Sequence, residues 1–300
     1  MTIKKLLPGI RKNVFLKNYT TFKIGGPAKY FFVARTKENL ITAILVAKKN
    51  NLPFFILGGG SNLLVSDKGY KGLIIKTKNS PKESLRLPTG QAKLKNIYVE
   101  AGTLLAKVVL EATKNNLTGL EWTAGIPGTV GGAIRGNAGA FRRSMKDIVK
   151  EVEVYDIKNE KIIILKNKNC KFGYRDSIFK HKKNFIILSV IFRLKKGNSK
   201  RIKMKIKEFL NYRKETQPLN FPSAGSVFKN PAGFSAGELI EKCGLKGKRI
   251  GNVKISEKHA NFIVNLGGGK AKNVKKLINL AKKRVKNKFG VVLEEEIQIL

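Results

Sequence analysis

The 300-residue chain predicts an α+β fold of more than one domain, and three observations lead there. Short strand-like runs alternate with single amphipathic helices, and between Ile148 and Leu194 the pattern turns to β. Two glycine-rich loops interrupt the first half, Gly58-Gly59-Gly60-Ser61-Asn62 and the longer Gly119 to Ala140, GLEWTAGIPGTVGGAIRGNAGA. Composition then shifts at Gln217-Pro218 behind a helical segment, which places the start of a C-terminal domain near Arg201.

Tyr19 to Pro27 is a polar, turn-rich entry, followed by a strand over Lys29 to Ala34. Thr36 caps a helix to about Asn50 with Leu40, Ile41, Ile44 and Leu45 on one face. Pro53 to Leu57 is a short apolar strand ending at the first glycine loop, and Leu73 to Ile75 is another. Thr77 to Lys95, with Pro81 and Pro88, connects two subdomains. Ile97 to Ala101 is a strand, and Thr103 caps a helix carrying Leu104, Leu105, Val108, Val109 and Ala112 into the second loop.

Val152 and Val154, Ile162 to Leu165 and Phe185 to Leu194 supply three strands, with Cys170 to Ser177 on a turn between the last two. Arg201 to Arg213 is helical, with Ile202, Ile206, Phe209 and Leu210 inward. A Ser235/Glu238 capping box opens a short helix that stops at Gly244. Asn261 to Leu266 is a strand, Asn273 to Lys288 a helix with Val274, Leu277, Ile278, Ala281 and Val285 inward, and Val291 to Leu300 a final strand.

Lys+Arg of 61 against Asp+Glu of 20 gives a net charge of +41, which raises nucleic acid as a partner. The lysines recur evenly from Lys4 to Lys288 and accompany no recognition motif, so they fit a compositional bias at solvated positions; no specific nucleic-acid partner is expected. Cys170 and Cys243 are far apart and no Cys/His cluster has metal-ligand spacing, so reduced, buried cysteines and no metal are expected. The N-terminus lacks a signal-like apolar stretch, and no apolar run reaches the ~18 residues of a bilayer span. A cytoplasmic protein without membrane association is expected.

Glycines packed this densely let backbone amides approach a ligand, so the long loop suggests a diphosphate cradle; tight turns are the plainer alternative. Two such loops favour a nucleotide cofactor. Neither matches G-x-G-x-x-G, since Leu63 occupies the sixth position after Gly58 and Gly60. A Rossmann fold is therefore not supported, and another flavin or nucleotide scaffold is required.

YTTFKIGGPA (Tyr19 to Ala28), ILGGGSNLLVSD (Ile56 to Asp67), the long glycine stretch, FGYRDSIFK (Phe172 to Lys180), PSAGSVFKNP (Pro222 to Pro231) and VVLEEEI (Val291 to Ile297) resemble the UDP-N-acetylenolpyruvoylglucosamine reductases, in the same order. The resemblance implies an FAD-binding fold of the vanillyl-alcohol-oxidase type in two α+β subdomains, residues 1–76 and 77–200, plus a C-terminal α+β substrate-binding domain, residues 201–300. NADPH would reduce the flavin, and hydride would pass to the enolpyruvyl group of a UDP-sugar in peptidoglycan synthesis. A monomer is expected. The tyrosine-loop insertion of one branch of the family is absent, so this chain resembles the shorter branch.

Cofactor contacts implied by the resemblance are Ile24, Gly58, Gly59, Gly60, Ser61, Asn62, Leu63, Gly125, Ile126, Pro127, Thr129, Gly131, Gly132, Ala133, Asn137, Ala138 and Gly139. Hydride addition next to a carboxylate builds negative charge, a task that suits Arg175; an ion pair with Asp176 is the ordinary alternative. Strand alternation would put Glu294 and Glu296 on one face and cannot choose between them; the resemblance selects Glu296 and leaves Glu294 and Glu295 as a solvated cluster. Ser226 resembles the family's proton donor and needs polarising neighbours such as Lys229. Tyr174, Arg213, Lys229, Asn230 and His259 are candidates for holding the UDP-sugar or NADPH, with a structural histidine the alternative for His259.

Overall fold

A computed structural model describes residues 3–78, 85–86 and 94–300. Pro81 and Pro88 of the expected connection lie outside the described residues. By contacts the chain divides into two units: residues 1–10, 32–59 and 75–211 in the first, and residues 11–31, 60–74 and 212–300 in the second.

After a helical turn at Ile3–Leu6, the order of the main elements begins β1 (Arg11–Phe15), β2 (Pro27–Ala34), α1 (Lys37–Lys49), β3 (Phe54–Leu57), β4 (Leu63–Leu64) and β5 (Tyr70–Thr77). It continues β6 (Leu85–Arg86), β7 (Leu94–Glu100), α2 (Leu105–Lys114), β8 (Leu117–Thr118), α3 (Val130–Arg135), β9 (Val149–Asp156), β10 (Lys161–Lys166) and β11 (Phe185–Lys196). After α4 (Ser199–Thr216) come β12 (Ser223–Ser226), α5 (Ala236–Lys242), β13 (Arg249–Ile250), β14 (Val253–Ile255), β15 (Phe262–Asn265), α6 (Ala271–Phe289) and β16 (Gln298–Ile299).

In the first unit the largest sheet runs β10-β9-β11-β7-β6, with β8 also on β11. Strand β11 pairs antiparallel on both sides, with β9 (Val152↔Val190) and β7 (Val99↔Val190), and consecutive residues Ile187 to Val190 are buried, so both of its faces are covered there. A strand covered in this way needs the near-continuous apolar run that the sequence has there. Edge strand β10 instead exposes Ile162 and Ile164 between lysines, which discourage further pairing. Helix α2 packs Leu105, Val108, Val109 and Ala112 into the same core, while Ile206 and Phe209 of α4 pack against it. A smaller sheet has the order β1-β2-β5-β3, and the division between units passes through strands β2 and β5.

In the second unit the sheet β12-β15-β14-β13 carries α5 and the long helix α6. Val274, Leu277, Ile278, Ala281 and Val285 are all at most 1% exposed and fall at i, i+3, i+4, i+7 and i+11, one stripe of a helix. Phe22, Ile24, Leu64, Leu293 and Ile297 enter the same core from distant parts of the chain.

Several boundaries differ from expectation for local reasons. Thr36 caps α1 by accepting the Asn39 amide, but the buried stripe is Leu40, Ala43, Ile44 and Ala47; Ile41 and Leu45 fall at its edge, the small alanines letting the helix sit close. Helix α2 starts at Leu105 with Leu104 as its exposed N-cap, because the Thr103 carbonyl is taken by the Val130 amide. Leu210 is 42% exposed and its expected inward place goes to Arg213, which continues the 202, 206, 209 stripe. Strand β1 was hidden in a basic lead. Val291 to Leu300 is strand only over Gln298–Ile299: the amides of Glu296 and Ile297 both reach the Val227 carbonyl (2.8 and 3.4 Å), an irregular pairing that breaks alternation. Glu294 and Glu296 therefore owe nothing to a shared strand face. Cys170 is buried, its thiol pushed up to about 12 by burial, whereas Cys243 is only half-buried, contrary to expectation.

Leu277 has no exposed surface in the second unit's core, so Leu277→Ala should cost about 2–5 kcal/mol, while exposed Leu110→Ala should stay within about 0.5 kcal/mol; urea unfolding of both variants checks the assignment of the core.

Candidate active site

The two glycine-rich loops touch within the first unit. A Cβ built on Gly59 would lie 2.5 Å from Gly128 Cα, and one on Gly58 would strike the Thr129 hydroxyl, so this approach requires glycine. The long loop is tied down by Leu105 N to Gly128 O (3.1 Å), Val130 N to Thr103 O (2.8 Å) and Gly131 N to Ala101 O (2.8 Å). The amides of Ile126 and Ala133 likewise donate to Thr123 O and Thr129 O. These groups shape the loop, and Gly125, Pro127 and Gly132 lie on the backbone they hold. Two backbones in contact with no side chain standing on either fit a cofactor whose diphosphate is met by main-chain groups.

Other expected cofactor residues belong to the second unit. Ile24 and Leu63 are core residues, 1% and 4% exposed. Gly60 has φ +66 and a Cβ there would overlap the Tyr19 carbonyl, while its own carbonyl accepts the Thr21 amide (3.1 Å). Half-buried Ser61 precedes Asn62, whose side chain donates to Glu296 O (3.0 Å) and whose carbonyl accepts the Gln298 amide (3.0 Å).

Arg175 stands on a two-residue hairpin closed by Gly173 N to Asp176 O (3.0 Å) and Asp176 N to Gly173 O (3.3 Å). Its φ of +53 is a left-handed conformation that normally selects glycine or asparagine. Neighbours over-determine that strained turn. Asn137, 5% exposed, donates from Nδ2 to Gly173 O (2.7 Å) and accepts the Lys146 amide at Oδ1 (3.0 Å). Lys180 Nζ donates to Arg175 O (2.5 Å), and fully buried Ser177 donates from Oγ to Arg135 O (2.7 Å). His181 Nε2 lies 2.8 and 3.0 Å from the Asp176 carboxylate oxygens, and Asp176, despite opposing burial, is held below the usual carboxylate range chiefly by that hydrogen bond. The guanidinium packs over the exposed Tyr174 ring (5.5 Å) and lies against Gly139, where a Cβ would come within 3.0 Å of Nη1. The structure thus joins Asn137, Ala138 and Gly139 to Tyr174 and Arg175. Ser177, Lys180 and His181 were missed by sequence reasoning; the place of the first two in the same short motif, with His181 directly after it, was the available signal.

In the second unit Ser226 and Glu296 flank one carbonyl, that of Val227, which accepts the Glu296 amide (2.8 Å). Asn261, 4% exposed and also missed, fixes this region by accepting the Phe228 amide (2.9 Å) and donating to Phe228 O (2.8 Å). Glu294 and Glu295 each have a lysine partner, Lys229 Nζ at 2.5 Å from Glu294 and Lys282 at 3.0 Å from Glu295, and the Glu294 side chain remains 69% exposed. Asn230 Oδ1 accepts the Ala236 amide at the start of α5 (3.1 Å), and Arg213 is 8% exposed. His259 Nδ1 accepts the Asn261 amide (3.2 Å), which makes Nε2 the protonated nitrogen of the neutral ring. Burial lowers its pKa, with Lys246 adding to the effect.

A flavin-binding α+β protein of the vanillyl-alcohol-oxidase type with a C-terminal α+β domain is the class that this fold and its glycine loops define. Residues 28–166 match the FAD binding domain family, and residues 217–300 match the family described as UDP-N-acetylenolpyruvoylglucosamine reductase, C-terminal domain. The UDP-N-acetylenolpyruvoylglucosamine reductase of Caldanaerobacter subterraneus subsp. tengcongensis is 47% identical over 95% of this chain and 91% of its own length. That of Clostridium novyi is 42% identical over 97% and 92%. The crystal structure of the Thermus caldophilus enzyme superposes with a TM-score of 0.80 at 37% identity, covering 97% of this chain and 99% of that one. A BBE-like protein of Physcomitrella patens, 13% identical with a TM-score of 0.55 over 96% of this chain and 89% of its own, shares the fold alone. The chain belongs to the UDP-N-acetylenolpyruvoylglucosamine reductase family.

If the Arg175 turn stores strain, Arg175→Gly should fold at least as stably as the parent, with a gain of up to about 1 kcal/mol; a loss larger than that in urea unfolding would locate no strain there. For His259 the folded-state pKa lies below the unfolded value of about 6.5, so its contribution is present above that value and is lost as pH falls through the folded pKa. Unfolding at pH 7.5 and pH 5 should therefore reveal an acid-induced loss that His259→Gln partly removes.

Proposed function

We propose that this chain reduces the enolpyruvyl group of UDP-N-acetylenolpyruvoylglucosamine to give UDP-N-acetylmuramate, with FAD as cofactor and NADPH as reductant, in peptidoglycan precursor synthesis. The observation that carries the proposal is kinship along the whole length, 47% identity across 91% of a relative that bears this enzyme's name. FAD, when bound, supplies the hydride chemistry; the chain's own residues provide orientation, charge and a proton.

Gly58 to Leu63, Gly125 to Ala133 and Asn137 to Gly139, with Ile24, hold the cofactor in this reading. Arg175 neutralises charge that develops on the substrate carboxylate, a role suited to a guanidinium that is always charged and is held by its backbone in one place. Ser226 Oγ delivers the proton to the carbon beside that carboxylate, and Glu296 provides a second polar group toward it. Tyr174, Arg213, Lys229, Asn230 and His259 serve the UDP-sugar or NADPH. Lys229 exchanges its exposed partner Glu294 for phosphate at little cost, since exposed pairs are weak; neutral His259 offers an Nε2–H donor.

Residues 1–76, 77–200 and 201–300 are the functional segments: two for the cofactor and one for the substrate. The enzyme acts as a monomer in the cytoplasm, where its product feeds cell-wall synthesis and hence cell shape and division. No helix among the described residues is long and apolar enough to cross a membrane.

Stopped-flow flavin absorbance separates the two halves of the reaction. Ser226→Ala should leave flavin reduction by NADPH near normal and slow reoxidation by the enolpyruvyl sugar by about 10²–10⁴-fold. Equal slowing of both steps would remove Ser226 from the proton-donor role.

A further inference from the structure

We propose that Lys76 is a positioning residue for the cofactor's diphosphate: its ammonium orients the Gly58–Gly59 peptide and places a cation without a protein counter-ion behind that loop. The inference rests on the reading of Gly58 and Gly59 as cofactor contacts.

Lys76 lies on β5 between Ile75, with no exposed surface, and Thr77, 8% exposed. Its Nζ donates to the Gly58 carbonyl and, at 3.4 Å, to the Thr77 carbonyl. No carboxylate among the described residues pairs with it, and the charged group that influences it is Lys78, of the same sign. Burial lowers the pKa of this ammonium, as expected for a charge drawn from water without a counter-ion. Such an arrangement is costly unless an anion completes it. Other lysines of this unit do have acids: Lys37 holds Glu153, and Lys48 holds Glu160.

The geometry links this charge to the loop. In a trans peptide the carbonyl of one residue and the N–H of the next point in opposite directions. Pinning Gly58 O to Lys76 therefore turns the Gly59 N–H away from the ammonium. Gly59 also rests on Gly128, so the peptide is confined from a second side. An aligned main-chain donor with a half-buried cation behind it is suited to an extended anion carrying adjacent negative charges, and a diphosphate is that anion.

Titration of the flavin-free protein with FAD, followed by fluorescence, tests this on Lys76→Met, which keeps the stem, and on Lys76→Gln, which can still donate to Gly58 O. Lys76→Met should weaken FAD binding about 10- to 100-fold, and Lys76→Gln by less, while the flavin-free thermal midpoint of Lys76→Met stays level or rises because an unpaired buried cation has gone. FAD affinity within twofold of the parent overturns the proposal. So does a lowered midpoint in the flavin-free variant, or its failure to fold, because either makes Lys76 a structural residue. Gly59→Ala tests the underlying reading separately: if it folds and binds FAD as the parent does, the loop is not a cofactor contact, whatever Lys76 does.

Discussion

The contact of Gly59 with the Gly128 backbone and of Gly58 with the Thr129 hydroxyl is the constraint on which the rest of the first unit depends. It requires β3 to end where it does and the long loop to be held from behind, which Thr103, Ala101 and the first residue of α2 accomplish through main-chain hydrogen bonds. Once those donors and acceptors are committed, the loop cannot be a string of independent turns. It runs into the short helix α3, and Asn137 then carries the constraint onward to the Gly173–Asp176 hairpin. The glycine-rich loop and the arginine are in this sense one construction.

Arg175 illustrates how such a construction is maintained. An arginine in left-handed backbone is unfavourable by itself, and here four neighbours bond to the turn or its flanks: Asn137, Ser177, Lys180 and His181. Strain kept by that many contacts is a recurrent property of functional positions. In the second unit Asn261 does comparable work, since its carboxamide satisfies both main-chain groups of Phe228, next to the Val227 carbonyl that accepts the Glu296 amide.

Charge must be judged by its scarcer sign. With 61 Lys+Arg to 20 Asp+Glu, a lysine at the surface carries little information, whereas the partner chosen by each acid does. Glu294 and Glu295 are each taken by a lysine, Asp176 by a histidine, and Glu153 by Lys37 and Ser189. Exposed lysine excess makes the protein self-repelling and sensitive to salt. A half-buried lysine facing no acid, such as Lys76, is a different matter, because desolvation makes its charge count.

The fold class, most elements and the family were legible in the sequence because they rest on local signals: apolar runs such as Phe185 to Leu194, the stripe from Val274 to Val285, and motifs long enough to resemble one family from end to end. What stayed hidden was non-local. The basic lead gave no hint that Arg11–Phe15 pairs with β2, and Val291 to Leu300 looks like a strand although its amides serve partners spaced too irregularly for one. Ser177, Asn261 and Lys76 are unremarkable residue types, and their importance lies in which carbonyl or amide they reach. By itself, then, the sequence determined the kind of protein, since residue types and spacing set propensity, burial pattern and motif. Tertiary structure alone decided which polar groups are already spent inside the protein and that Lys76 is half-buried without an acid beside it, because hydrogen-bond partners and desolvation depend on residues far apart in the chain.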